Sequence, residues 1–478
     1  MRDKYDVIIV GGGPAGIFAA LEFAGTGDAS VLLLEKGRDI ERRICPISAR
    51  KPNCVLCAPC SQVSGWGGAG AFSDGKLTLS TEVGGRLPDY VGQERARELI
   101  EEVDQLYLRF GAPDRLYGVG DEVERFRRQA SLAELRLIPV LIRHLGTERC
   151  GQILKAMRDY LKGRVDLAMR KTAKQILVED GAVAGITTNT GEKIRCRYLI
   201  VGPGREGADW LTEEATRLKL HLSHNPVDVG VRVEVAAATM AELTDVLYES
   251  KLEYYSKSFD DRVRSFCMCP AGEVIMECTA GHDPVVTVNG HSYENGRTDN
   301  TNFALLVSTR FTEPFREPIA YGRYIARLAN IIGGGVIVQR LGDLMEGRRS
   351  TPERIARSVV QPTLKGATPG DLSFVLPYRY VKDIIEMLLA MDKLSPGVAS
   401  RHTLLYGVEV KFYSSRLQLT HDLETEIPNL FAIGDGAGVT RGLVQASASG
   451  LLVAREIQRR LTRNGKPSSP VALPENGS

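Results

Sequence analysis

The chain has 478 residues, about three times an average domain. Its 43% apolar and 25% charged residues are the balance of a folded protein with a core of its own, which excludes a peptide scaffold or a metal-clamped mini-domain. Sixty-one Lys and Arg against 59 Asp and Glu leave a formal net charge of +2, so no global field draws the chain to nucleic acid or to an anionic membrane.

Glycine is the one excess, at 49 residues without a collagen-like period, and it calls for turns and for close backbone approach to a ligand. The amino end lacks the charged-then-apolar pattern of a secretion signal, and no run of about 18 residues is free of charges and breakers. A cytoplasmic protein without a membrane span is therefore expected.

Tyr5 to Val10 is rich in β-branched residues and reads as a strand, Gly11-Gly-Gly-Pro-Ala-Gly16 as a turn, and Ile17 to Ala24 as a helix. Val31 to Leu34 reads as a second buried strand, ending in Glu35. This is a βαβ unit with parallel strands. Gly11, Gly13 and Gly16 match the dinucleotide fingerprint in its full context: the first permits the tight turn, the second lets a pyrophosphate reach the backbone, and the third lets helix and strand pack closely. Pro14 and Ala15 complete the turn, and the helix N-terminus behind it offers free N–H donors and partial positive charge. Glu35 is the acid expected to accept hydrogen bonds from a ribose, with Lys36 beside it.

Residues 41 to 80 read as loop. Cys45, Cys54, Cys57 and Cys60 cluster there, which in a long chain without an export signal points to metal or redox chemistry. Three thiols at i, i+3 and i+6 with a fourth nearby fit an iron–sulfur cluster of the [4Fe-4S] type. A zinc knuckle and metal-free thiols are the alternatives. Gly67, Gly68, Ala69 and Gly70, in Gly65-Trp-Gly-Gly-Ala-Gly70, let backbone lie against a large planar or phosphate-bearing ligand.

From about 92 to 163 the pattern is helical. Leu99, Val103, Leu106 and Phe110 share a face and stop at Gly111, and a second helix from about Thr147 carries Ile153, Leu154, Met157 and Leu161. Arg125, Arg127, Arg128 and Arg136 form a basic stretch, ordinarily a solvated helix face, with contact to an anionic substrate or RNA as the other reading.

Residues 164 to 201 read as three short strands with turns at Asp180-Gly181 and Thr190-Gly191. Gly202-Pro-Gly-Arg-Glu-Gly207 then repeats the glycine spacing, but no second βαβ unit with an acid at the right distance follows. The three-strand meander before it resembles the crossover of glutathione-reductase-type flavoproteins, which implies that this turn returns Gly202 and Gly204 to the first cofactor; a second, NAD(P) site is the alternative. Between 226 and 395 strands (Val229 to Val235, Val274 to Cys278) mix with helices (Pro318 to Ile332, Val381 to Met391). Cys267 and Cys269 alternate on a strand-like segment, so both are expected on one side, as reacting thiols or as ordinary buried ones. Glu409 and Lys411 share a face of a strand leading back toward the first domain, as proton donor and orienter or as a solvated face. His402 is a weaker candidate.

Leu430-Phe-Ala-Ile-Gly-Asp435 is an apolar strand ending in Gly-Asp, and it resembles the second FAD motif of glutathione-reductase-type flavoproteins. That resemblance decides for FAD over NAD in the first fingerprint. It implies that Gly434 and Asp435 bind the ribityl or pyrophosphate part, and that Arg441, Gly442 and Leu443 open a helix whose positive end faces the N1–C2=O edge of the flavin, stabilising the reduced form. The tail after Arg463 is expected to be disordered.

Trp66-Gly-Gly-Ala-Gly-Ala-Phe-Ser-Asp-Gly-Lys-Leu77, Phe266-Cys-Met-Cys-Pro270 and Ala432-Ile-Gly-Asp-Gly-Ala-Gly-Val-Thr-Arg-Gly442 together resemble a family of NAD/FAD-utilizing dehydrogenases in its shorter, cysteine-bearing form, from about residue 4 to 462. The likeness to geranylgeranyl-reductase-like and fumarate-reductase-like flavoproteins is looser. One departure is Cys269-Pro-Ala-Gly272, where the family stretch has Cys-Pro-Gly-Gly; Ala271 puts a positive-φ turn there in doubt.

The expected fold is α/β: a glutathione-reductase-type FAD-binding Rossmann fold with an inserted mixed α+β substrate domain. Its parts are a discontinuous FAD domain (1–90, 164–225 and 396–462), a helical insertion (91–163), a substrate or cap domain (226–395) and the tail (463–478). The expected function is an FAD-dependent oxidoreductase passing hydride or electrons through flavin N5 to a small-molecule substrate, with a C–C double bond in an apolar molecule suggested by analogy. NAD(P)H or a ferredoxin is the expected donor, and Cys269, Glu409 and Lys411 are the catalytic candidates. An electron-transfer protein, a tRNA-modifying flavoprotein and a non-catalytic FAD-binding or sensor protein are the competing readings; the leading reading expects no nucleic acid partner.

Overall fold

A computed structural model describes residues 2–46, 57–73, 75–223, 227–278, 284–292, 297–309, 317–411 and 415–463. Cys54 and the tail expected to be disordered from 464 onward lie outside the described residues. The chain forms two compact units, one from 1–114, 143–225 and 414–478, the other from 115–142 and 226–413.

The first unit is organised by a seven-stranded sheet. β1 (Lys4–Val10) lies between β2 (Val31–Glu35) and the strand Lys193–Val201, parallel to both. Asp166–Met169 extends the sheet beyond β2, and Leu430–Ala432 pairs in parallel with the end of Lys193–Val201. Ala173–Glu179 and Ala182–Thr188 form the antiparallel meander, so the 164–201 stretch contains four strands rather than three. Its expected turns hold, with φ of +78° at Gly181 and +81° at Gly191.

α1 (Pro14–Thr26) follows β1 directly and ends at Gly27 in the left-handed conformation, whose N–H donates to Phe23 O. Ile8, Ile9, Ile17, Phe18, Leu32, Leu33, Leu199, Ile200 and Phe431 bury completely between sheet and helices, each contributing about 1.5–3 kcal/mol by removal from water. The helix Leu443–Arg463 packs on α1 so closely that a Cβ on Gly450 would lie 2.1 Å from Ala15 O. In this doubly wound arrangement the carboxyl ends of β1, β2, Lys193–Val201 and Leu430–Ala432 gather at one edge, where such sheets bind ligands.

The second unit is built on an eight-stranded sheet in the order Thr368–Pro369, Ile337–Arg340, Leu404–Lys411, Val227–Ala236, Asn300–Thr309, Arg262–Cys269, Lys251–Tyr255 and Arg136–Ile138. The sequence pattern assigns 396–411 to the FAD domain. The structure instead makes Leu404–Lys411 an interior strand of this sheet, paired on one side with Val227–Ala236 and on the other with Ile337–Arg340. The helical insertion also divides: Arg136–Ile138 pairs with Lys251–Tyr255, and backbone pairing rather than chain proximity groups 115–142 with the second unit. Arg125 and Arg127 sit on the helix Asp121–Leu132 paired with Glu122 and Glu124 at the exposed i,i+3 spacing, which makes that part of the basic stretch a solvated helix face, whereas Arg136 opens the strand Arg136–Ile138 and pairs with Glu253.

Within Val227–Ala236, Val229, Val231, Val233 and Val235 bury on one face with Leu305, Met387 and Leu388. Asp228, Arg232 and Glu234 point to the other face and are also buried. A strand with both faces covered whose second face is charged is costly unless each charge finds a partner.

Asp383, on the helix Tyr378–Leu394, is a further buried carboxyl. Desolvation raises its pKa from 3.8 to about 6; Ser256 opposes the shift and the charge of Asp261 adds to it. A carboxyl whose pKa rises on folding stabilises the folded state least where it must be ionised. Stability is therefore lost as pH climbs from about 4 to about 6 and is not regained above. Asp383→Asn is expected to raise unfolding free energy by on the order of 1–2 kcal/mol at pH 8 and by almost nothing at pH 4. Urea unfolding at the two pH values checks this, and an equal gain at both would contradict the assignment.

Candidate functional site

At the sheet edge of the first unit the glycines divide into two kinds. A Cβ on Gly11 (φ +110°) would lie 2.1 Å from Gly202 O, and one on Gly16 would lie 1.9 Å from Gly11 O, so these two admit no side chain. A Cβ on Gly13 would meet nothing nearer than Gly68 Cα at 3.9 Å, and at Gly204 and Gly442 nothing lies within 4 Å. The chain therefore closes on itself at Gly11 and Gly16 and leaves open space at Gly13. No side chain caps α1 at Gly13, so first-turn N–H groups are left for an anion.

The other expected cofactor residues gather around this opening. Gly67 N–H donates to Gly12 O at 2.7 Å, and a Cβ on Gly68 would lie 3.1 Å from Gly13 Cα. A Cβ on Gly70 would press on Leu443 Cδ2 at 2.5 Å and reach within 3.6 Å of Pro14 Cγ. Ala69 lies with Gly68 and Gly70 in the short 3-10 turn Gly68–Phe72. A Cβ on Gly434 would come 3.1 Å from Ala15 Cβ, and one on Gly436 would come 2.6 Å from Gly204 O. The two motifs some four hundred residues apart are thus in contact.

Asp435 Oδ1 accepts from Thr440 Oγ1 at 2.7 Å, and both carboxylate oxygens lie 3.3 Å from Gly442 N. Desolvation raises its pKa against the pull of Arg205, Thr440 and Gly442. Arg441 N–H donates to Gly84 O.

Glu35 ends β2 as expected, but its carboxylate accepts from the chain itself: Gly12 N–H at 2.8 Å, Gly37 N–H at 2.7 Å and Gly65 N–H at 2.9 Å. A carboxylate has about four acceptor positions, so three are committed to holding the phosphate turn, the end of β2 and the glycine loop together. Lys36 turns to Glu206, 3.6 Å from Oε1.

Sequence reasoning passes over Arg43. Its buried guanidinium donates to the carbonyls of Ser61, Gln62, Trp66 and Gly68 at 2.7–3.0 Å. Desolvation pushes its pKa down to about 10, with Glu35 and Cys60 pulling it back up. Trp66, fully buried, donates from its indole to Leu154 O at 2.8 Å. Together Arg43 and Trp66 fold the glycine loop onto Gly13. The ladder of carbonyls facing one arginine is a tertiary feature with no local sequence signature.

Of the four loop cysteines, Cys45, Cys57 and Cys60 are partly buried free thiols. Among the described residues no group of three or more His, Cys, Asp and Glu is arranged to hold a metal ion.

In the second unit the buried face of Val227–Ala236 builds a charged cluster. Arg232 donates from Nε to Asn302 Oδ1 at 2.8 Å and from Nη2 to Cys267 O at 2.6 Å, and its Nη1 lies 3.4 Å from Glu409. Glu409 also holds Lys411 Nζ at 2.8 Å. Arg232 and Glu409 are completely buried and Lys411 nearly so. Burial pulls the pKa values of Arg232 and Lys411 down, and Glu409 with the neighbouring cysteines more than offsets that, leaving both raised. A side-chain ammonium held this firmly is a fixed positive charge.

Glu234 accepts from Thr363 Oγ1 and from the Tyr406 hydroxyl, both at 2.5 Å. The signal that finds Arg232 and Glu234 is present in Val-Asp-Val-Gly-Val-Arg-Val-Glu-Val: strict alternation on a strand too long and too apolar to be an edge.

Cys267 and Cys269 both lie beside Arg232. The pairing of Arg262–Cys269 with Asn300–Thr309 shifts register between Phe266 and Cys269, and Cys267 takes φ +47°. A bulge of this kind re-aims side chains; it leaves Cys267 partly exposed and Cys269 fully buried. Ala271 adopts the positive φ that its Cβ puts in doubt, +47°. Ala271 N donates to Thr301 Oγ1 at 3.2 Å and Ala271 O accepts from Thr298 N at 2.8 Å, which hold the turn against a strain of about 1–2 kcal/mol. His402 lies with Nδ1 3.4 Å from Ser358 Oγ.

The family model described as FAD-dependent protein, C-terminal domain-like, matches residues 226–412, and that described as FAD binding domain matches residues 6–42. An uncharacterized protein of Clostridium beijerinckii is 28% identical over 476 residues, 94% of this chain and 80% of that protein. The tRNA uridine 5-carboxymethylaminomethyl modification enzyme MnmG of Lactobacillus gasseri is 26% identical over 203 residues, so this chain matches 24% of that enzyme's length with 42% of its own. The crystal structure of 3-ketosteroid-delta4-(5alpha)-dehydrogenase from Rhodococcus jostii RHA1 aligns over 95% of this chain and 96% of that one, at 14% identity and a TM-score of 0.43. Among the described residues no helix is long and apolar enough to cross a membrane.

The open space at Gly13, the uncapped helix behind it and the contact between the Gly11–Gly16 and Gly434–Gly442 segments fit FAD, which supplies hydride and single-electron chemistry when bound. With a match to an FAD binding domain at its amino end and to an FAD-dependent protein C-terminal domain in its second unit, the chain is similar at both places to FAD-dependent proteins.

Proposed function

We propose that the chain is a dehydrogenase or reductase that moves hydride or electrons between its FAD and a small apolar substrate, at a C–C double bond. Gly11, Gly13, Pro14, Ala15, Gly16, Gly67, Gly68, Ala69, Gly70, Gly202, Gly204, Gly434, Asp435, Arg441, Gly442 and Leu443 bind the cofactor, and Glu35 with Lys36 shapes its ribose end. Cys269, Glu409 and Lys411 serve the substrate. The observation that carries this reading is the buried cluster on the second sheet: two cations, a carboxylate and a thiol kept away from water are held in fixed geometry, as charge-handling groups beside a reacting carbon must be. Lys411 acts there as a fixed positive charge, and Glu409 keeps it and Arg232 in place.

NAD(P)H or a ferredoxin supplies the electrons, and the loop of Cys45, Cys54, Cys57 and Cys60 carries an iron–sulfur cluster that relays them singly. The test is anaerobic mixing of FAD-loaded protein with NADH, NADPH or reduced ferredoxin, following bleaching of the flavin's visible band, together with iron, sulfide and zinc analysis. Bleaching by one donor, reoxidation by an apolar enone and about four irons per chain are expected. Zinc in place of iron overturns the cluster, and a flavin that no enone reoxidises overturns the substrate class.

The partial similarity to the tRNA enzyme favours one competing reading, a tRNA-modifying flavoprotein. Retention of tRNA in a gel shift at about 200 mM salt would support it.

A further inference from the structure

The cysteine in the second unit's cluster takes its electrostatic setting from its neighbours. Cys269 ends the strand Arg262–Cys269 and is fully buried. Its Sγ lies 3.2 Å from Arg232 Nη2, and the same nitrogen donates to Cys267 O. The surroundings are cut to admit this guanidinium. A Cβ on Gly290 would lie 1.9 Å from Arg232 Nη2 and 2.2 Å from Asn302 Oδ1, so the strand Val286–His291 passes at a distance only glycine allows. Asn302, which anchors Nε and pairs across the sheet with Cys269, has a buried Nδ2 without a hydrogen-bond partner among the described residues.

A guanidinium N–H in contact with a sulfur in a dry site favours the charged thiolate over the thiol. Opposing it are burial and the nearby carboxylates, and each carboxylate is already engaged. Glu409 is 2.8 Å from Lys411 Nζ, Glu234 accepts from Thr363 and Tyr406, and Glu277 on the hairpin strand Glu273–Cys278 accepts from Asn289 Nδ2 at 2.9 Å. Lys411 adds a second positive charge; the other titratable or charged groups on the strands packed here are Cys267, Arg262 and Arg264 on Arg262–Cys269, His291 on Val286–His291, Glu273 and Cys278 on Glu273–Cys278, and Asp228 on Val227–Ala236, the last ion-paired with Arg264. Arg232 is a charged group in contact with the sulfur, which also lies 3.6 Å from Cys267 O, an acceptor to which the protonated thiol would donate.

Resting on the proposed role of Cys269 as a reacting group, we infer that Arg232 is a positioning residue that holds Cys269 as a thiolate at neutral pH, ready to act as a base toward a carbon acid. In that step the S–H bond forms as the substrate C–H bond breaks, the electron pair stays on carbon, and Arg232 keeps its N–H on the sulfur. The reverse step returns the proton to carbon.

The experiment is a pH titration of thiolate absorbance in the far ultraviolet, taken as the difference between the FAD-loaded native protein and Cys269→Ser. The difference is expected to show Cys269 more than half ionised at pH 7. Arg232→Gln is expected to shift its midpoint upward by about two pH units or more while flavin content stays the same, and Arg232→Lys to recover part of the shift. A native midpoint at or above about 8.5, the ordinary thiol value, overturns the inference even if no Arg232 variant folds; so does a midpoint that Arg232→Gln leaves in place. Turnover separates the two levels: full turnover in Cys269→Ser removes the catalytic reading of Cys269, whereas the titration reads the Arg232 contact alone.

Discussion

Gly13→Ala is expected to give a protein that folds with native stability and binds FAD at least about tenfold more weakly, roughly 1.4 kcal/mol. Gly11→Ala is expected to fail at folding itself. The difference comes from the space each Cβ would enter. At Gly13 the chain offers no atom nearer than 3.9 Å and φ is −83°, so alanine is tolerated by the apoprotein and its methyl intrudes only on a bound pyrophosphate. At Gly11 a Cβ would be driven to within 2.1 Å of a backbone carbonyl at φ +110°, where left-handed strain and overpacking combine to at least about 3 kcal/mol. Urea unfolding of the flavin-free proteins and quenching of FAD fluorescence measure the two effects separately. Native FAD affinity in Gly13→Ala would remove the assigned pyrophosphate position.

Glu409→Gln is expected to lower unfolding free energy by about 3–5 kcal/mol, because it leaves two buried cations sharing a site without their carboxylate. Arg232 and Glu409 are fully buried, so added salt should restore little of the loss; an exposed pair would be screened. Combining Glu409→Gln with Arg232→Met should cost less than the two changes summed, since the second removes the charge that the first leaves unpaired. Additive losses would mean that Arg232 and Glu409 do not compensate each other.

The nucleotide-binding half of the fold was legible because its rules are local. Gly11, Gly13 and Gly16 are spaced by the sterics of one turn, Leu430 to Asp435 by the end of one strand, and Gly181 and Gly191 by tight turns that need a positive φ. Each requirement is met within a few residues and leaves its mark in composition. The cluster on the second sheet was only half legible. Glu409 and Lys411 stood out as charges on an apolar strand, but a solvated face explained them as well, and only the packing of the strand Val286–His291 against Leu404–Lys411 shows that face to be covered.

Arg43 had no comparable mark, and the alternation around Arg232 marks a buried charge without naming its partners. One is an arginine in an alternating strand and the other an arginine in a loop; their importance lies in which carbonyls, carboxylates and sulfur surround them. Cys267 shows the same limit from the other side, since a register shift at Phe266 leaves it partly exposed while Cys269 is fully buried.

The order of residues by itself determined the βαβ turn, the second glycine-aspartate strand and the FAD-binding class, because backbone sterics at glycine act over distances of a few residues. Tertiary structure alone decided that Glu35 binds three amides of its own chain, that Leu404–Lys411 belongs to the second sheet, and that a buried arginine meets the Cys269 sulfur. Those outcomes depend on desolvation and on partners such as those brought from 30 and 177 positions away, and no local pattern encodes which partner will fill a buried valence.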